Sequence, residues 1–421
     1  MAFCYINMNK KIVIIFLTCI APLFSLGQNK DLEYFINKSL ENNPAITDIR
    51  NLVLSNRIDS ELLRASNKLQ IAGNGNAYYA PVINGYGYDE VITNGQQLSA
   101  LVAVNKQINN KKNLNLQYKS LQLQNDSLNN TSAITKQDIK KAIIIQYIAT
   151  YGDQLQLEFN QRLIDLLSKE EGILKSLTQN NVYKQSDYLS FLVTLQQQKL
   201  AKNQLLVQYK NDYASLNYLA GIIDTTTETL SEPDIHLVQS FQTQELPFFL
   251  NYKIDSLRIE NERLIAKVQY LPKVNLFADA GYQSSLVLTP YKNFGYSFGV
   301  NLTVPIYDGH QKQLQFSKLD IQQRTLQKKQ EFFDTQYRQQ LQQLYQQLNN
   351  IESLNTNISK QIEYLETLLK VDAKLLETGD VRITDLILAL NNYITAKNLV
   401  VQNQVARYQV IQQINYWNMK L

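Results

Sequence analysis

The sequence predicts an α+β membrane protein. Four strands per chain join a shared barrel, most of the remainder forms very long helices, and the whole is written twice. Three observations carry this expectation: an export signal at the N-terminus, glycine and proline gathered into two short windows, and breaker-free segments too long for an ordinary globule.

The N-terminus comes first. Lys10 and Lys11 precede the apolar run IVIIFLTCIAPLFSL, and Ser25-Leu26-Gly27 puts small residues at −3 and −1 of a cleavage site. A basic segment, a short apolar segment and a small-x-small site read as a secretory signal over residues 1–27. A retained membrane helix is the other reading, but the apolar run is shorter than a span of about 20 residues. Removing residues 1–27 takes away two lysines and no acids, so the formal charge falls from +4 to +2. That balance is too weak to indicate nucleic acid. Both cysteines, Cys4 and Cys19, lie in this segment, and Phe16-Leu17-Thr18 makes a poor lipidation signal ahead of Cys19. Cleavage after Gly27 leaves no disulfide and no thiol chemistry. Charged residues make up only 19% of the chain against 44% hydrophobic. Gln and Asn fill the difference, which suits a large wetted surface of low charge.

Glycine and proline punctuate structure. Of 14 glycines, five stand at 73, 75, 85, 87 and 95, and four at 281, 295, 299 and 309. Pro81 belongs to the first window, and Pro272, Pro290 and Pro305 lie in or border the second. Residues 96–151, 173–220, 310–378 and 380–421 contain neither type and read as helices. In the third of these, Tyr337, Leu344, Ile351, Ile358 and Leu365 recur every seven residues. Leu341, Leu348, Ile362 and Leu369 supply the second seam position, with Asn355 as its polar entry. A strict seven-residue repeat implies a left-handed supercoil. Such a helix reaches roughly 100 Å if continuous.

The two windows read as strand pairs, about 70–108 and 272–308. Val274, Leu276, Ala278, Ala280 and Tyr282 alternate with small or polar residues, as do Phe298, Val300, Leu302, Val304 and Ile306. A period of two with one apolar face is a strand signature. The first window is less regular, with Leu98, Ala100, Val102 and Val104 as its stripe.

The repeat follows from fixed offsets. Ser186-Asp187-Tyr188-Leu189 corresponds to Thr384-Asp385-Leu386-Ile387, and Asn217-Tyr218 to Asn415-Tyr416, both 198 residues apart. The region around Pro44 echoes that around Pro247. The chain therefore divides into a first repeat, 28–223, with long helices about 109–221. A linker at 224–246 follows, then a second repeat, 247–421, with long helices about 310–421. In hydrocarbon every backbone polar group must be paired, so strands span a membrane only as a closed barrel. Four strands cannot close alone and about eight are needed, so the barrel is shared, and a trimer gives 12 strands. A small soluble sheet capping a coiled coil is the bland alternative.

The order of short helix with Asn42-Asn43-Pro44, strand pair and long helices, all repeated, resembles the TolC-type outer-membrane efflux channels. Leu271-Pro272 before a strand and Val304-Pro305-Ile306-Tyr307-Asp308-Gly309 after one are the most specific matches, the latter resembling the family's Pro-Leu-Phe-Asp-Gly-Gly. Thr378 to Leu386 resembles its Gly-x-x-Ser-x-x-Asp-Leu stretch. The first repeat departs from these motifs, with Leu69, Gln107 and Lys111 where the second has Pro272, Pro305 and Gly309, and His310 replaces the family's second glycine.

The resemblance implies a homotrimer whose 12-stranded outer-membrane barrel, set among outer-membrane lipids, is continuous with a helical barrel crossing the periplasm. It implies a passive exit duct for efflux or type I secretion, served by a periplasmic membrane-fusion adaptor and an inner-membrane pump. Pro272, Pro305, Asp308 and Gly309 then mark strand–helix junctions. Phe298, Val300, Leu302 and Val304 face lipid. Asn180, Asn181, Val182 and Ser186, with Thr378, Gly379 and Thr384, form adaptor-docking turns. Asp385 and its mate Asp187 stand at the periplasmic entrance, with Leu388 as a hydrophobic narrowing. Asp385 also suits a plain helix cap.

Chemistry beyond conduction has no motif. His236 and His310 lack metal-ligand spacing, and no phosphate loop or nucleophile elbow appears. The expectation is no enzyme, no cofactor, no metal and no nucleic-acid partner. An exported coiled-coil scaffold or adhesin without a pore is the competing function. An adaptor is a weaker third reading, because no lipoyl-like β-domain is apparent.

Overall fold

The structure, a computed structural model, describes residues 30–108, 111–238, 246–286 and 289–421. Residues 1–27, expected to form a secretory signal, and linker residues 239–245 lie outside these. In chain order the elements are α1 (Leu32–Asn42), α2 (Pro44–Ser66), β1 (Gln70–Tyr79), the short α3 (Glu90–Thr93), β2 (Gln96–Ile108), α4 (Lys111–Gln179) and α5 (Gln185–Ala220). They continue with α6 (Pro247–Gln269), β3 (Lys273–Ser284), a 3₁₀ turn at Pro290–Lys292, β4 (Phe294–Thr303), α7 (Gln311–Thr378) and α8 (Ile383–Trp417).

The helix starts follow local chemistry. Asn43 accepts the Ala45 N–H and Pro44 opens α2, a capping residue followed by a proline whose missing N–H costs nothing there. Helix α4 runs for 69 residues and passes through both Gly152 and Gly172. Breaker-free segments thus understate it. An isolated helical glycine costs only about 1 kcal/mol relative to Ala, less than a packed face returns. Helix α7 runs for 68 residues. Of its heptad positions, Tyr337, Leu344, Leu348 and Ile358 are buried, Ile351, Leu365, Leu341, Ile362 and Leu369 are half-buried, and Asn355 is exposed. Among the described residues no helix is long and apolar enough to cross a membrane.

The four strands form one antiparallel sheet in the order β1-β2-β3-β4. Asn74 pairs with Leu101, Val102 with Ala280, and Leu276 with Val300. The first window hides its alternation because Gly73, Gly75 and Ala77 occupy apolar-face positions in β1. Strand β4 ends at Thr303, short of the stripe extending to Val304 and Ile306. Pro305 has no N–H to give to a ladder, so those two residues leave the strand.

The chain divides into two compact units. One comprises the chain up to Ser39 with Gln146–Asp234 and Leu368–Asn391. At its centre Phe35 sits fully buried between Tyr147 and Tyr213, with ring centroids at 6.0 and 6.1 Å. The linker segment up to Asp234 has no regular structure yet is pinned here. Gln154 donates to the Leu230 carbonyl at 3.2 Å and accepts the Leu230 N–H at 2.7 Å. Tyr147 donates to the Ser231 carbonyl, Asn217 to the Asp224 carbonyl, and Lys30 bridges Asp224 and Glu228.

The other unit comprises Leu40–Ile145, Ile235–Thr367 and Asn392–Leu421 and contains the sheet. Its aromatic cluster joins Phe248, Phe249, Phe333, Tyr337, Tyr416 and Trp417, with Phe249 and Tyr337 centroids 5.2 Å apart. Trp417 is thus a packing residue. Asn415 donates to the His236 carbonyl and accepts the Val238 N–H.

Two predictions follow from the first unit. Gln154→Ala leaves the buried Leu230 N–H unpaired and should cost about 1–3 kcal/mol. It is read as a lower Tm of the detergent-extracted protein and faster proteolysis near Leu230. The second concerns Asp153, whose carboxyl is pushed up to about 7 by burial and then by the facing Asp212. Gln146 and Gln208 donate to Asp212, while one Asp153 oxygen is buried without a partner. The folded chain therefore holds this proton more tightly than the unfolded chain. Stability from it is present at low pH and is lost as pH rises from 3.8 through about 7. Asp153→Asn should raise Tm over wild type at pH 8 and leave it nearly unchanged at pH 4.

Candidate functional site

The register of the sheet sorts its side chains onto two faces. One carries Ile71, Tyr79, Leu98, Val102, Val274, Leu276, Phe298, Val300 and Leu302. Phe298 is 80% exposed, Val300 66% and Leu302 60%. Val304 is exposed too but follows the strand. Lys106 is the charge on this face. It is drawn aside, donating to the Asn67 carbonyl at the C-terminus of α2, where the helix dipole favours a cation. The second face carries Asn74, Asn76, Gln97, Ser99, Asn105, Asn275, Asp279, Ser297, Asn301 and Thr303. Apolar groups occur there too: Leu101 and Phe277. The Phe277 ring lies over Gly299, where an added Cβ would come within 2.5 Å of it. Strands β1 and β4 are the sheet's edges.

At the second junction Pro272 immediately precedes β3, and Pro305 follows β4. Asp308 then starts α7. Its carboxylate accepts the His310 N–H at 3.0 Å and the Lys312 N–H at 2.9 Å. The Lys312 bond, foremost, holds its carboxyl below the usual range. Gly309 and His310 make the turn between them.

The two helix turns have the same backbone construction. At the end of α4, Asn181 takes φ 60° and donates to the Thr178 carbonyl, while Val182 donates to that of Leu177. At the end of α7, Gly379 takes φ 81° and donates to Leu376, while Asp380 donates to Leu375. Both are Schellman motifs, which need a left-handed residue and favour Gly, then Asn. The Thr378 hydroxyl donates to the Leu375 carbonyl, Asn180 and Ser186 are exposed, and so is Thr384. Asp187 and Asp385 lie in the first turns of α5 and α8, and Leu388 is 62% exposed.

The turns also touch each other. Tyr183 donates its hydroxyl to the Val381 carbonyl at 2.8 Å, and a Cβ on Gly379 would meet Val182 at 2.6 Å. Burial pushes the Tyr183 hydroxyl upward. Sequence reasoning missed Tyr183, although the signal was present: residues 183 and 381 stand at the 198-residue repeat offset. It also missed Arg382, which pairs with Asp385 at 2.9 Å. Burial, and then the charge of Asp385, raise the pKa of the buried Asp372. Among the described residues no group of three His, Cys, Asp or Glu side chains could hold a metal ion. Gly379→Val should cost at least about 1–2 kcal/mol for the left-handed conformation alone, with the Val182 clash added. Faster proteolytic nicking around residues 378–384 would register it, and Asn181→Gly should not show it.

No family model and no curated protein matches the sequence. Solved structures do. A membrane protein from Pseudomonas aeruginosa matches with a TM-score of 0.74 and 13% identity, over 92% of this chain and 90% of its own. The outer membrane protein VceC from Vibrio cholerae matches with a TM-score of 0.73 and 13% identity, over 92% and 95%. The outer membrane channel MtrE from Neisseria gonorrhoeae, in its open state, matches with a TM-score of 0.72 and 12% identity, over 92% and 88%. Helix, sheet and turns together have the fold of these outer-membrane channels.

Proposed function

We propose that this chain is the outer-membrane exit duct of a tripartite efflux or type I secretion system. The observation that carries it is the sheet: one face apolar and exposed, the other mostly polar, and two edge strands whose outer sides pair with no strand among the described residues. Water penalises such a face and leaves such edges open to further pairing. A closed barrel in lipid satisfies both. Four strands are too few to close, so three copies supply a 12-stranded barrel, β1 of one copy pairing with β4 of the next. The likeness to VceC and MtrE, both described as outer-membrane proteins, supports the location.

The chain acts as a passive conduit with no catalytic step, and its structural neighbours include channels. Its long helices extend into the periplasm. The paired turns at Asn180–Ser186 and Thr378–Thr384 receive a periplasmic adaptor, which connects to an inner-membrane pump. Asp187, Asp385 and Leu388 stand at the entrance. Two internal repeats generate the architecture. The matching Schellman turns and the like roles of Asn217 and Asn415, each holding a linker carbonyl, support that reading.

The test uses both sheet faces. Val300→Arg should cost roughly 2–4 kcal/mol if it sits at the bilayer midplane, whereas Asn301→Arg on the other face should be tolerated. The readout is the heat-labile trimer band from an outer-membrane fraction. Loss of the band in Val300→Arg with retention in Asn301→Arg is expected. Equal tolerance, or recovery of wild type in the soluble periplasm, would reject the barrel.

A further inference from the structure

The second face of the sheet is uncharged over most of its length. Within the four strands its charged side chains are Asp279, in the middle of β3, and Lys273, the first residue of β3. Six residues along a strand separate these two by roughly 20 Å, about twice the Debye length at 0.1 M salt. Lys273 therefore does little to neutralise Asp279 through solution. Asp279 faces Ser297 in register, and the Ser297 hydroxyl donates to its carboxylate at 2.7 Å. That bond fixes the carboxylate without cancelling its charge. Among the described residues no basic side chain forms an ion pair with it. Phe277, two residues earlier on this face, lies over Gly299.

Asp385 presents the opposite case. It is exposed and carries its own counter-charge, Arg382 at 2.9 Å. Copies of Asp385 gathered around an axis bring an equal number of guanidinium groups with them, so the local field largely cancels.

We propose that Asp279, and not Asp385, is the residue that sets the cation preference of the pore. The inference rests on the channel reading, which puts the second face toward the lumen. Three copies of Asp279 then stand at one level of the barrel, in a lumen walled by membrane of low dielectric. Like charges in a narrow passage with such walls focus potential and enrich counter-ions. Permeating cations are favoured there, whether inorganic or part of an exported molecule.

Reversal potentials of reconstituted full-length trimers in a KCl gradient test it. Asp279→Asn retains an oxygen that accepts from Ser297 and removes the charge. It should lower the ratio of K⁺ to Cl⁻ permeability by at least about twofold, while Asp385→Asn combined with Arg382→Gln, which removes both members of the pair, leaves that ratio unchanged. Ser297→Lys, which sets an ammonium beside Asp279, should lower the ratio likewise and serves if Asp279→Asn does not assemble. Conducting trimers in which these charge changes at 279 and 297 leave the ratio unshifted overturn the inference alone. So does a larger shift from the Asp385→Asn, Arg382→Gln double variant than from Asp279→Asn. Wild-type trimers with no conductance would overturn the channel reading and the inference with it.

Discussion

Backbone hydrogen bonding at the outer edges of β1 and β4 is the constraint on which the rest of this structure depends. Inside the sheet, β2 and β3 spend their N–H and C=O groups on both neighbours. The edge strands have one neighbour each. Their outer polar groups need water or another strand, and an apolar face alongside argues against water. Each strand is also continuous in sequence with a helix: α2 leads into β1, β2 into α4, α6 into β3 and β4 toward α7. Any strand that pairs with an outer edge would therefore bring the helix continuous with it alongside.

Buried amides solve a second problem, how to hold a chain segment with no regular structure. Residues 221–238, which follow α5, carry backbone groups that no ladder satisfies. Gln154, Asn217 and Asn415 each pair with one or two of them. A side-chain amide both donates and accepts, so it pairs with a backbone N–H and C=O without introducing charge. This gives part of the abundant Gln and Asn a packing role. The composition alone suggested a wetted surface.

Charge placement separates residues that look equivalent in sequence. Asp279, Asp308 and Asp385 are three aspartates near ends or faces of elements. Asp308 is occupied by two backbone N–H groups, and Asp385 is matched by Arg382. Asp279 meets a hydroxyl. Asp279 alone of the three has neither a cationic side chain nor the positive end of a helix dipole beside it.

Much of the fold was legible in the sequence. Period-two stripes in β3 and β4 and the absence of breakers in α7 follow from local chemistry, which a single chain states directly. The left-handed turn residues Asn181 and Gly379 were also readable, because few residue types adopt that conformation. What the sequence could not state was partnership at a distance. That β2 pairs with β3 across the interval between the windows depends on register, and so does the single apolar face the four stripes make. The ordered linker was read as a plain connector because its partners, Gln154 and Tyr147, lie dozens of residues away. The end of β4 at Thr303 was misplaced although Pro305 was in view, since the apolar stripe continued past it. Tyr183 meeting Val381 and Arg382 neutralising Asp385 needed side-chain positions. Sequence determined which segments are strand, helix or turn; tertiary structure decided which groups meet, because hydrogen bonds and ion pairs act between atoms within a few ångströms, whatever their separation along the chain.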